Sequence, residues 1–381
     1  MRYNQIEVIV LKVHKIMIDS NGRQRRYILV DESGQPVIPV ARFLKYLDNL
    51  AKAPNTLRSY CYHLKLYFEY LDSNGLSYDS ITMDDLARFI GWLRSTHKSK
   101  KVTPIKLTES ARSERTINTI LTCVISFYDY LNRQKHYENE LVKSITKKIS
   151  SRHQSFKPFL HHVTKFKKID KNILKLKTPK RKIKTLPQEE IQLLHNSCTN
   201  IRDDLLVRVL YEGGLRIGEA LSLEIDDFNI NKNSITVKKS KTPAGGNRTV
   251  YLSQDTMNIF QDFLIDFHGY EVDSNYVFIK LTGKNKGNQL DRSSVESMIK
   301  RVRKKTGINF TPHMLRHSFA SELHEKGVDI SIIQKLLGHA QIQTTINTYI
   351  HISDDHIRKS YTDAMVNHKN ATQKEECHEK Q

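Results

Sequence analysis

Residues 311–349 read TPHMLRHSFASELHEKGVDISIIQKLLGHAQIQTTINTY, and the rest of the chain is best understood around this segment. His313 and Arg316 lie three residues apart in it, so on a helix they share one face and converge on one ligand. Tyr349 lies ten residues beyond His339. An arginine guanidinium binds two phosphate oxygens at once, whereas a lysine acts as a point charge. The segment therefore predicts a site for phosphodiester chemistry.

These residues also have simpler, structural explanations. A lone tyrosine such as Tyr349 is more commonly a core aromatic, and Arg216 with Glu219 is more commonly a surface ion pair. A phenol that attacks a phosphodiester, however, needs its proton removed, its developing charge balanced and a proton delivered to the leaving 5'-oxygen. Histidine, arginine and lysine meet these needs. Two arginines, two histidines and a lysine precede Tyr349, and their spacing favours one common site.

Length and charge limit the possible classes of protein. A chain of 381 residues is long for one hydrophobic core, so we expect two domains. Lysine and arginine outnumber aspartate and glutamate by 61 to 41, and the resulting charge of +20 predicts a polyanionic partner, nucleic acid first. No apolar run approaches the roughly 18 residues that span a bilayer, and no cleavage site follows the early run at 6–13. We expect a cytoplasmic protein that associates with the nucleoid when bound to DNA.

Cysteine usage and glycine motifs exclude several kinds of site. The four cysteines are scattered without CxxC spacing, as is typical of a reducing compartment. Neither G-x-x-x-x-G-K-[ST] nor a helix-opening G-x-G-x-x-G occurs, so we expect no nucleotide cofactor. A zinc site is the alternative explanation of four histidines, His313, His317, His324 and His339. It lacks both cysteine partners and an H-E-x-x-H run.

The first 150 residues predict a short β extension and a helical domain. Residues 1–36 favour two strands, 6–17 and 26–30, around a turn at 19–22. Residues 37–150 show apolar side chains at helical spacing, which predicts a small helical domain. Its helices are expected near 43–50, 56–75 with Asn55 or Thr56 as N-cap, 82–93 with a capping box from Thr82 to Asp85, and 113–131.

A basic segment, 151–184, separates the two predicted domains. From position 143 to 184 there are fifteen lysines and arginines and one acidic residue, Asp170. Such a run is commonly a solvated linker. It also suits a segment that lies along a phosphate backbone and displaces condensed counterions there.

Residues 185–352 predict a second domain, mostly helical with one small antiparallel sheet. A short helix is expected after Gly214, and two strands within 234–252 flank a glycine-rich turn. The longer helices are expected at 186–197, 201–214, 254–267, 291–306, 313–326 and 330–337. A last helix at 354–365 and a polar tail complete the region 353–381.

Five motifs in order carry a resemblance to a known family. They are G-L-R-I-G-E-A-L-S-L from position 214, the hairpin K-T, H-M-L-R-H, L-G-H and T-Y. Together they resemble the catalytic domain of the tyrosine recombinases, the phage integrase family, over about residues 185–350. The helical region before them is similar to that family's core-binding, SAM-like domain. The resemblance implies a mainly α, two-domain DNA clamp: a helical core-binding domain plus a mixed α-helical catalytic domain with a small antiparallel β-sheet.

The resemblance also implies roles for particular residues. Tyr349 corresponds to the nucleophile that forms a 3'-phosphotyrosyl bond and releases a 5'-hydroxyl. Arg216 and Arg316 correspond to the pair that binds the non-bridging oxygens and stabilises the pentacoordinate transition state.

The remaining implied roles concern proton transfer and support of the oxyanion. Lys241 matches the hairpin lysine that protonates the leaving 5'-oxygen, although Lys239, two residues earlier, remains an alternative. His313 matches the histidine that bonds the scissile phosphate and aids proton transfer, and His339 the one that supports the same oxyanion. Glu219 matches an acidic position that orients the first arginine or packs structurally, and we do not expect it to be catalytic.

The implied activity is site-specific DNA recombination, for integration, excision or transposition of a mobile element. Its expected partners are double-stranded DNA at specific sites, further copies of the chain in a synaptic tetramer, and accessory recombination proteins, with no membrane, metal or ATP. Three alternatives remain: a chromosome or plasmid resolvase of the same family, a type IB topoisomerase, and a DNA-binding protein without catalysis.

Overall fold

The computed structural model describes most of both predicted domains. The described residues are 11–18, 24–95, 111–134, 146–149, 169–172, 174–179, 184–240, 246–268, 272, 274–340, 345 and 362. They divide into two compact units, Met1–Lys180 and Arg181–Gln381, each with its own hydrophobic core. Lys241, Tyr349 and the turn at 19–22 lie outside the described residues, as does the expected helix at 354–365 apart from Thr362.

The first unit begins with two antiparallel strands, as predicted. Strand β1, Lys12–Ile18, pairs with β2, Gln24–Val30, so that Lys12 faces Val30 and Ile18 faces Gln24. Leu11 and Leu29 are buried in the same cluster as the helices that follow. The strands are therefore part of the core of this unit.

Four helices build the remainder of that core, and all four were expected from apolar spacing. They are α1 Ile38–Asn49, α2 Pro54–Ser73, α3 Met83–Arg94 and α4 Glu114–Asn132. The capping box of α3 is confirmed, because the Asp85 amide donates to Thr82 Oγ1 while the Thr82 amide donates to the Asp85 carboxylate.

The start of α2 differs from the prediction. This helix begins at Pro54, with Ala53 in the N-cap position and no side chain capping it. The expectation that Asn55 or Thr56 is the N-cap is therefore wrong. A proline in the first turn has a backbone angle that already suits the helix, and its missing N–H is one that would lack a partner there anyway.

Part of the basic run 143–184 is fixed on this unit. Strand β3, Thr146–Ile149, pairs antiparallel with β4, Ile169–Asn172. Beyond them, the buried Asn118 amide of α4 donates to the Leu176 carbonyl at 2.8 Å and accepts from the Leu176 N–H at 2.9 Å. The basic composition gives no sign of either feature, since the strands lack alternating apolar residues.

The second unit combines seven described helices with one three-stranded antiparallel sheet. The helices are α5 Gln188–Ser197, α6 Ile201–Glu212, α7 Ile217–Ala220, α8 Gln254–Phe267, α9 Arg292–Thr306, α10 Pro312–Glu325 and α11 Ile330–Leu337. The strands are β5 Phe228–Asn229, β6 Ser234–Val237 and β7 Arg248–Tyr251, in that order. The mainly α fold with a small antiparallel sheet is thus confirmed, and β5 adds a third strand to the two predicted.

Helix α11 packs outside the large core of this unit. Its Ile333 and Leu337 form a small cluster with Ala320 of α10, separate from the main cluster around Phe260 and Phe263. Among the described residues, no helix combines the length and the apolar character needed to cross a bilayer.

Candidate active site

The candidate site forms where α7, α10, β7 and α11 meet, and a close approach at Gly214 makes this possible. Gly214 has a φ of +56°, and a β-carbon there would lie 2.5 Å from Phe319 Cδ1. Only glycine adopts this backbone conformation readily and leaves room for the ring. The chain can therefore pass close to α10 immediately before Arg216.

Arg316 is the most deeply buried charged residue of the site. Helix α10 begins at Pro312, and Thr311 caps it by accepting the Met314 N–H. One turn later Arg316 is 1% exposed, and it donates to the carbonyls of Gly214 at 2.7 Å and Leu337 at 2.6 Å. Because a buried guanidinium is costly without partners, these carbonyls hold it in one position.

Three arginines converge on the C-terminal end of α11. Its last carbonyls each accept from a different guanidinium: Leu336 O from Arg248 at 2.8 Å, Leu337 O from Arg316 at 2.6 Å, and Gly338 O from Arg216 at 3.4 Å. The last four carbonyls of a helix lack partners within the helix, and the helix dipole places partial negative charge there. The end of α11 therefore acts as a common anchor for three cations.

A buried carboxylate joins the same arginines from the other side. Glu219 is 2% exposed, and both of its oxygens are fully engaged. Oε1 accepts from Arg216 Nη1 at 2.7 Å and Ser240 Oγ at 2.6 Å, and Oε2 accepts from the Arg216 N–H at 3.0 Å and Arg248 Nη2 at 2.7 Å. Arg316 Nη1 lies 3.8 Å from Oε2. The Arg216–Glu219 pair exists, but it is not the ordinary surface pair that its spacing allows.

Glu219 remains ionised in this position. Burial alone raises the pKa of its carboxyl, but the hydrogen bond and charge of Arg248, together with the bonds from Ser240 and the Arg216 N–H, lower the pKa to about 2. The group is therefore a carboxylate near pH 7.

The histidines of the site are neutral near pH 7. Burial and the positive charges of Arg316 and Arg216 lower the pKa of His339 to about 4. Desolvation and the same two charges lower the pKa of His313, and burial together with neighbouring charge lowers that of His317 to about 4. The rings of His313 and His317 meet edge to face with centroids 4.2 Å apart. His339 Nδ1 lies 2.9 Å from the hydroxyl of Thr345.

The β6–β7 connection is described as far as Ser240 and includes one of the two candidate lysines, Lys239. Lys239 Nζ lies 2.7 Å from Glu224 Oε1 and 5.7 Å from the ring centroid of Tyr276, and its bond to Glu224 raises its pKa. The hydroxyl of Ser240, the next residue, donates to Glu219 Oε1 at 2.6 Å. Lys241, the next residue, lies outside the described residues.

A cleft of about 620 Å³ opens beside Arg216 and His313. Helix α9 supplies most of its other wall, with the apolar side chains of Val295 and Ile299 between cationic ones. The cationic members are Arg216, Arg292, Lys300 and Arg303, and the one carboxylate is Glu296. Such a surface attracts an anionic ligand.

The zinc alternative finds no support within the part of the chain that the structure describes. No group of three or more histidine, cysteine, aspartate or glutamate side chains is arranged there to hold a metal ion. His313 and His317 are neighbours, but both lie beside the Arg316 charge, which disfavours a cation.

Three residues of the site were not identified by sequence reasoning: Ser240, Arg248 and Thr345. Arg248 offers one signal in retrospect, since a strand with alternating burial places it on the buried face, where an arginine requires a partner. Ser240 and Thr345 give no such signal.

Comparisons with known proteins found relatives that cover most of the chain. The profile of the Phage integrase family matches residues 184–356, and that of the phage integrase N-terminal SAM-like domain matches residues 40–135. Transposase A from transposon Tn554 of Staphylococcus aureus is 39% identical over 358 residues, covering 92% of this chain and 97% of that protein. Tyrosine recombinase XerA of Pyrococcus horikoshii is 29% identical over 327 residues, covering 85% of this chain and 92% of that protein.

Two solved structures share the fold. The Tn1549 transposon integrase in complex with transposon right end DNA superposes with a TM-score of 0.57 at 18% identity, covering 85% of this chain and 98% of that one. The XerH recombinase bound to its difH substrate superposes with a TM-score of 0.59 at 19% identity, covering 85% and 94%.

Proposed function

Because the chain belongs to the phage integrase family of tyrosine recombinases, we propose that it breaks and rejoins DNA strands at specific sites through a 3'-phosphotyrosyl intermediate. One observation carries the proposal: Arg216 and Arg316, 100 positions apart in sequence, are fixed on the same helix end beside His339. Two fixed guanidinium groups suit the two non-bridging oxygens of a phosphodiester, whose charge grows in the transition state.

In the proposed first step, the phenolic oxygen of Tyr349 attacks the scissile phosphorus. A bond from phosphorus to the tyrosyl oxygen forms, the bond to the 5'-oxygen breaks, and the 5'-oxygen leaves as a hydroxyl after it receives a proton. In the second step a 5'-hydroxyl of the partner strand attacks the ester and releases the tyrosine. Arg216 and Arg316 balance the charge on the non-bridging oxygens in both steps.

The histidines are suited to hydrogen bonding and proton transfer, because their lowered pKa values keep them neutral at pH 7. With His339 Nδ1 beside the Thr345 hydroxyl, we assign His339 Nε2 to a phosphate oxygen. His313, at the rim of the cleft, is assigned to the scissile phosphate and to the tyrosyl proton.

Lys241 is the proposed acid for the leaving 5'-oxygen. Two observations support it over Lys239. The ion pair with Glu224 already occupies Lys239. Ser240, directly before Lys241, is tied to Glu219 and so connects this end of the hairpin to the arginines.

The proposed biological role is transposition or integration of a mobile element. It is supported by the 39% identity to the Tn554 transposase over nearly the full length of both proteins. Resolution of chromosomes or plasmids uses the same strand chemistry and is the second candidate, favoured by the 29% identity to XerA. The proposed partner is double-stranded DNA, consistent with the +20 charge and the basic cleft, and the proposed assembly is a tetramer on paired sites.

The test is covalent trapping on a nicked duplex that spans one end of the DNA segment carrying this gene. We expect wild type to give a protein–DNA band on a denaturing gel and Tyr349→Phe to give none, because the phenylalanine lacks the attacking oxygen. A band with Tyr349→Phe would overturn the assignment of the nucleophile. A wild type that binds the duplex and forms no band would favour a DNA-binding protein without catalysis, and relaxation of plasmid DNA without site preference would favour a topoisomerase.

A further inference from the structure

We propose that Arg248 is a positioning residue for strand transfer: it holds Glu219 against Arg216 and ties this pair to the C-terminal end of α11. The inference rests on the proposed function. It assigns a role to a third arginine that lies within the same hydrogen-bond network as Arg216 and Arg316.

Arg248 joins two elements through one guanidinium group. It lies in β7, is 8% exposed, and donates through Nε to the Leu336 carbonyl at 2.8 Å and through Nη2 to Glu219 Oε2 at 2.7 Å. A guanidinium is planar, so these two bonds fix the carboxylate and the helix end relative to each other. A lysine has one nitrogen in place of this fork.

The position of Arg216 depends on the atom that Arg248 holds. Glu219 Oε2 accepts both from Arg248 Nη2 and from the Arg216 N–H at 3.0 Å, while Oε1 accepts from Arg216 Nη1 at 2.7 Å. If Oε2 loses the short bond from Arg248, the carboxylate can turn toward its remaining donors, with Arg316 Nη1 3.8 Å from the same oxygen. Any such rotation moves both bonds to Arg216, and with them the guanidinium that is to meet the phosphate.

The second bond of Arg248 reaches the other arginine. Leu336 O, its acceptor, is adjacent in sequence to Leu337 O, which accepts from Arg316 at 2.6 Å. Because α11 packs in a small cluster separate from the main core, polar ties to its C-terminal end matter more for its position than they would for a helix of the large core. Arg248 therefore acts on Arg216 and Arg316 through bonds that lie within the protein.

The experiment uses the full chain and the nicked duplex described above, with DNA binding and covalent complex formation measured separately. Arg248→Gln removes the charge and keeps most of the length, Arg248→Lys keeps the charge, and Arg208→Gln is the control. Arg208 pairs with Asp204 on α6, and among the described residues it shares no hydrogen bond with this network. Melting temperatures of all variants show whether each is folded.

We expect Arg248→Gln to bind the duplex within about twofold of wild type and to form the covalent complex about 10- to 100-fold more slowly, the range by which the loss of a residue that orients a metal ligand lowers activity. Arg248→Lys should form the covalent complex at a rate between those of Arg248→Gln and wild type, and Arg208→Gln should match the wild-type rate. In a Glu219→Gln background, Arg248→Gln should slow the reaction by less than about threefold more, because residues that act through one another are not additive.

Three results would overturn the inference: wild-type cleavage by Arg248→Gln, equal rates for the lysine and glutamine variants, or the full loss repeated in the Glu219→Gln background. If Arg248→Gln does not fold, the comparison of Arg248→Lys with wild type, alone and with Glu219→Gln, decides the question in the same way. Absence of the covalent complex in wild type on a bound duplex would instead contradict the proposed function itself.

Discussion

Replacement of Gly214 by alanine should disturb both the stability of the second unit and its chemistry. The substitution places a β-carbon at a φ of +56° and 2.5 Å from the ring of Phe319. An L-residue in the left-handed region costs about 1–2 kcal/mol, and overpacking in a core about 1–3 kcal/mol, so the free energy of unfolding should fall by about 2–5 kcal/mol. The Gly214 carbonyl also accepts from Arg316 at 2.7 Å, so a backbone shift there displaces that guanidinium.

Gly307→Ala provides the matched control in the same unit. Gly307 has a φ of +74°, but a β-carbon there meets nothing within 4 Å, so only the conformational cost of about 1–2 kcal/mol is expected. Urea unfolding of the full chain, followed by far-ultraviolet circular dichroism, gives the two free energies. Fluorescence of Trp92, the single tryptophan, reports on the first unit and shows whether the loss is confined to the second.

The outcome separates packing from backbone strain. If the free energies of unfolding of Gly214→Ala and Gly307→Ala differ by less than about 0.5 kcal/mol, the close approach to Phe319 does not affect stability and the reasoning is refuted. If the difference is found, covalent complex formation should also be slower in Gly214→Ala than in Gly307→Ala.

Three further results are expected. The pKa of His339 is lowered from 6.5 to about 4, so as pH falls from about 6.5 to 4 the unfolded chain takes up a proton before the folded chain does, and the free energy of unfolding decreases. Urea unfolding should therefore depend less on pH in His339→Gln than in wild type, and the same pH dependence in both proteins would contradict this. Lys241→Met should slow covalent complex formation about 100-fold or more, with recovery on a 5'-phosphorothiolate duplex whose leaving thiolate needs no proton, whereas Lys239→Met should stay within about threefold of wild type. Asn118→Ala should lower the free energy of unfolding of the first unit by about 1–3 kcal/mol and speed tryptic cleavage within 174–179, and equal cleavage of both proteins would argue against the anchoring bonds.

Local patterns in the sequence were sufficient for most helices and for several side chains of the site. Apolar spacing predicted α1 to α4 because each helix buries one face in its own core. The three-residue spacing of His313 and Arg316 placed both on one helix, and α10 carries both. The family motifs contributed the choice among arginines, which spacing alone does not give.

Local sequence patterns could not predict contacts between residues that are far apart in the chain. Arg216 and Glu219 are three apart and their pairing was foreseen, but the burial of Glu219 depends on Arg248, 29 positions away, and on Ser240, 21 positions away. The anchoring of the basic segment depends on Asn118 and Leu176, which are 58 positions apart. A composition rich in lysine indicates solvent and cannot show that one buried amide fixes the backbone.

The anchor for the three arginines consists of backbone carbonyls, and this affects how the chain tolerates mutation. No side-chain substitution removes a carbonyl, so the sequence of α11 can drift wherever its apolar packing is preserved. What cannot drift is the place where the helix stops, because one residue more or fewer would present different oxygens. Gly338, with a φ of +63°, sets that place, so an insertion or a deletion there would displace the carbonyls that hold all three guanidinium groups.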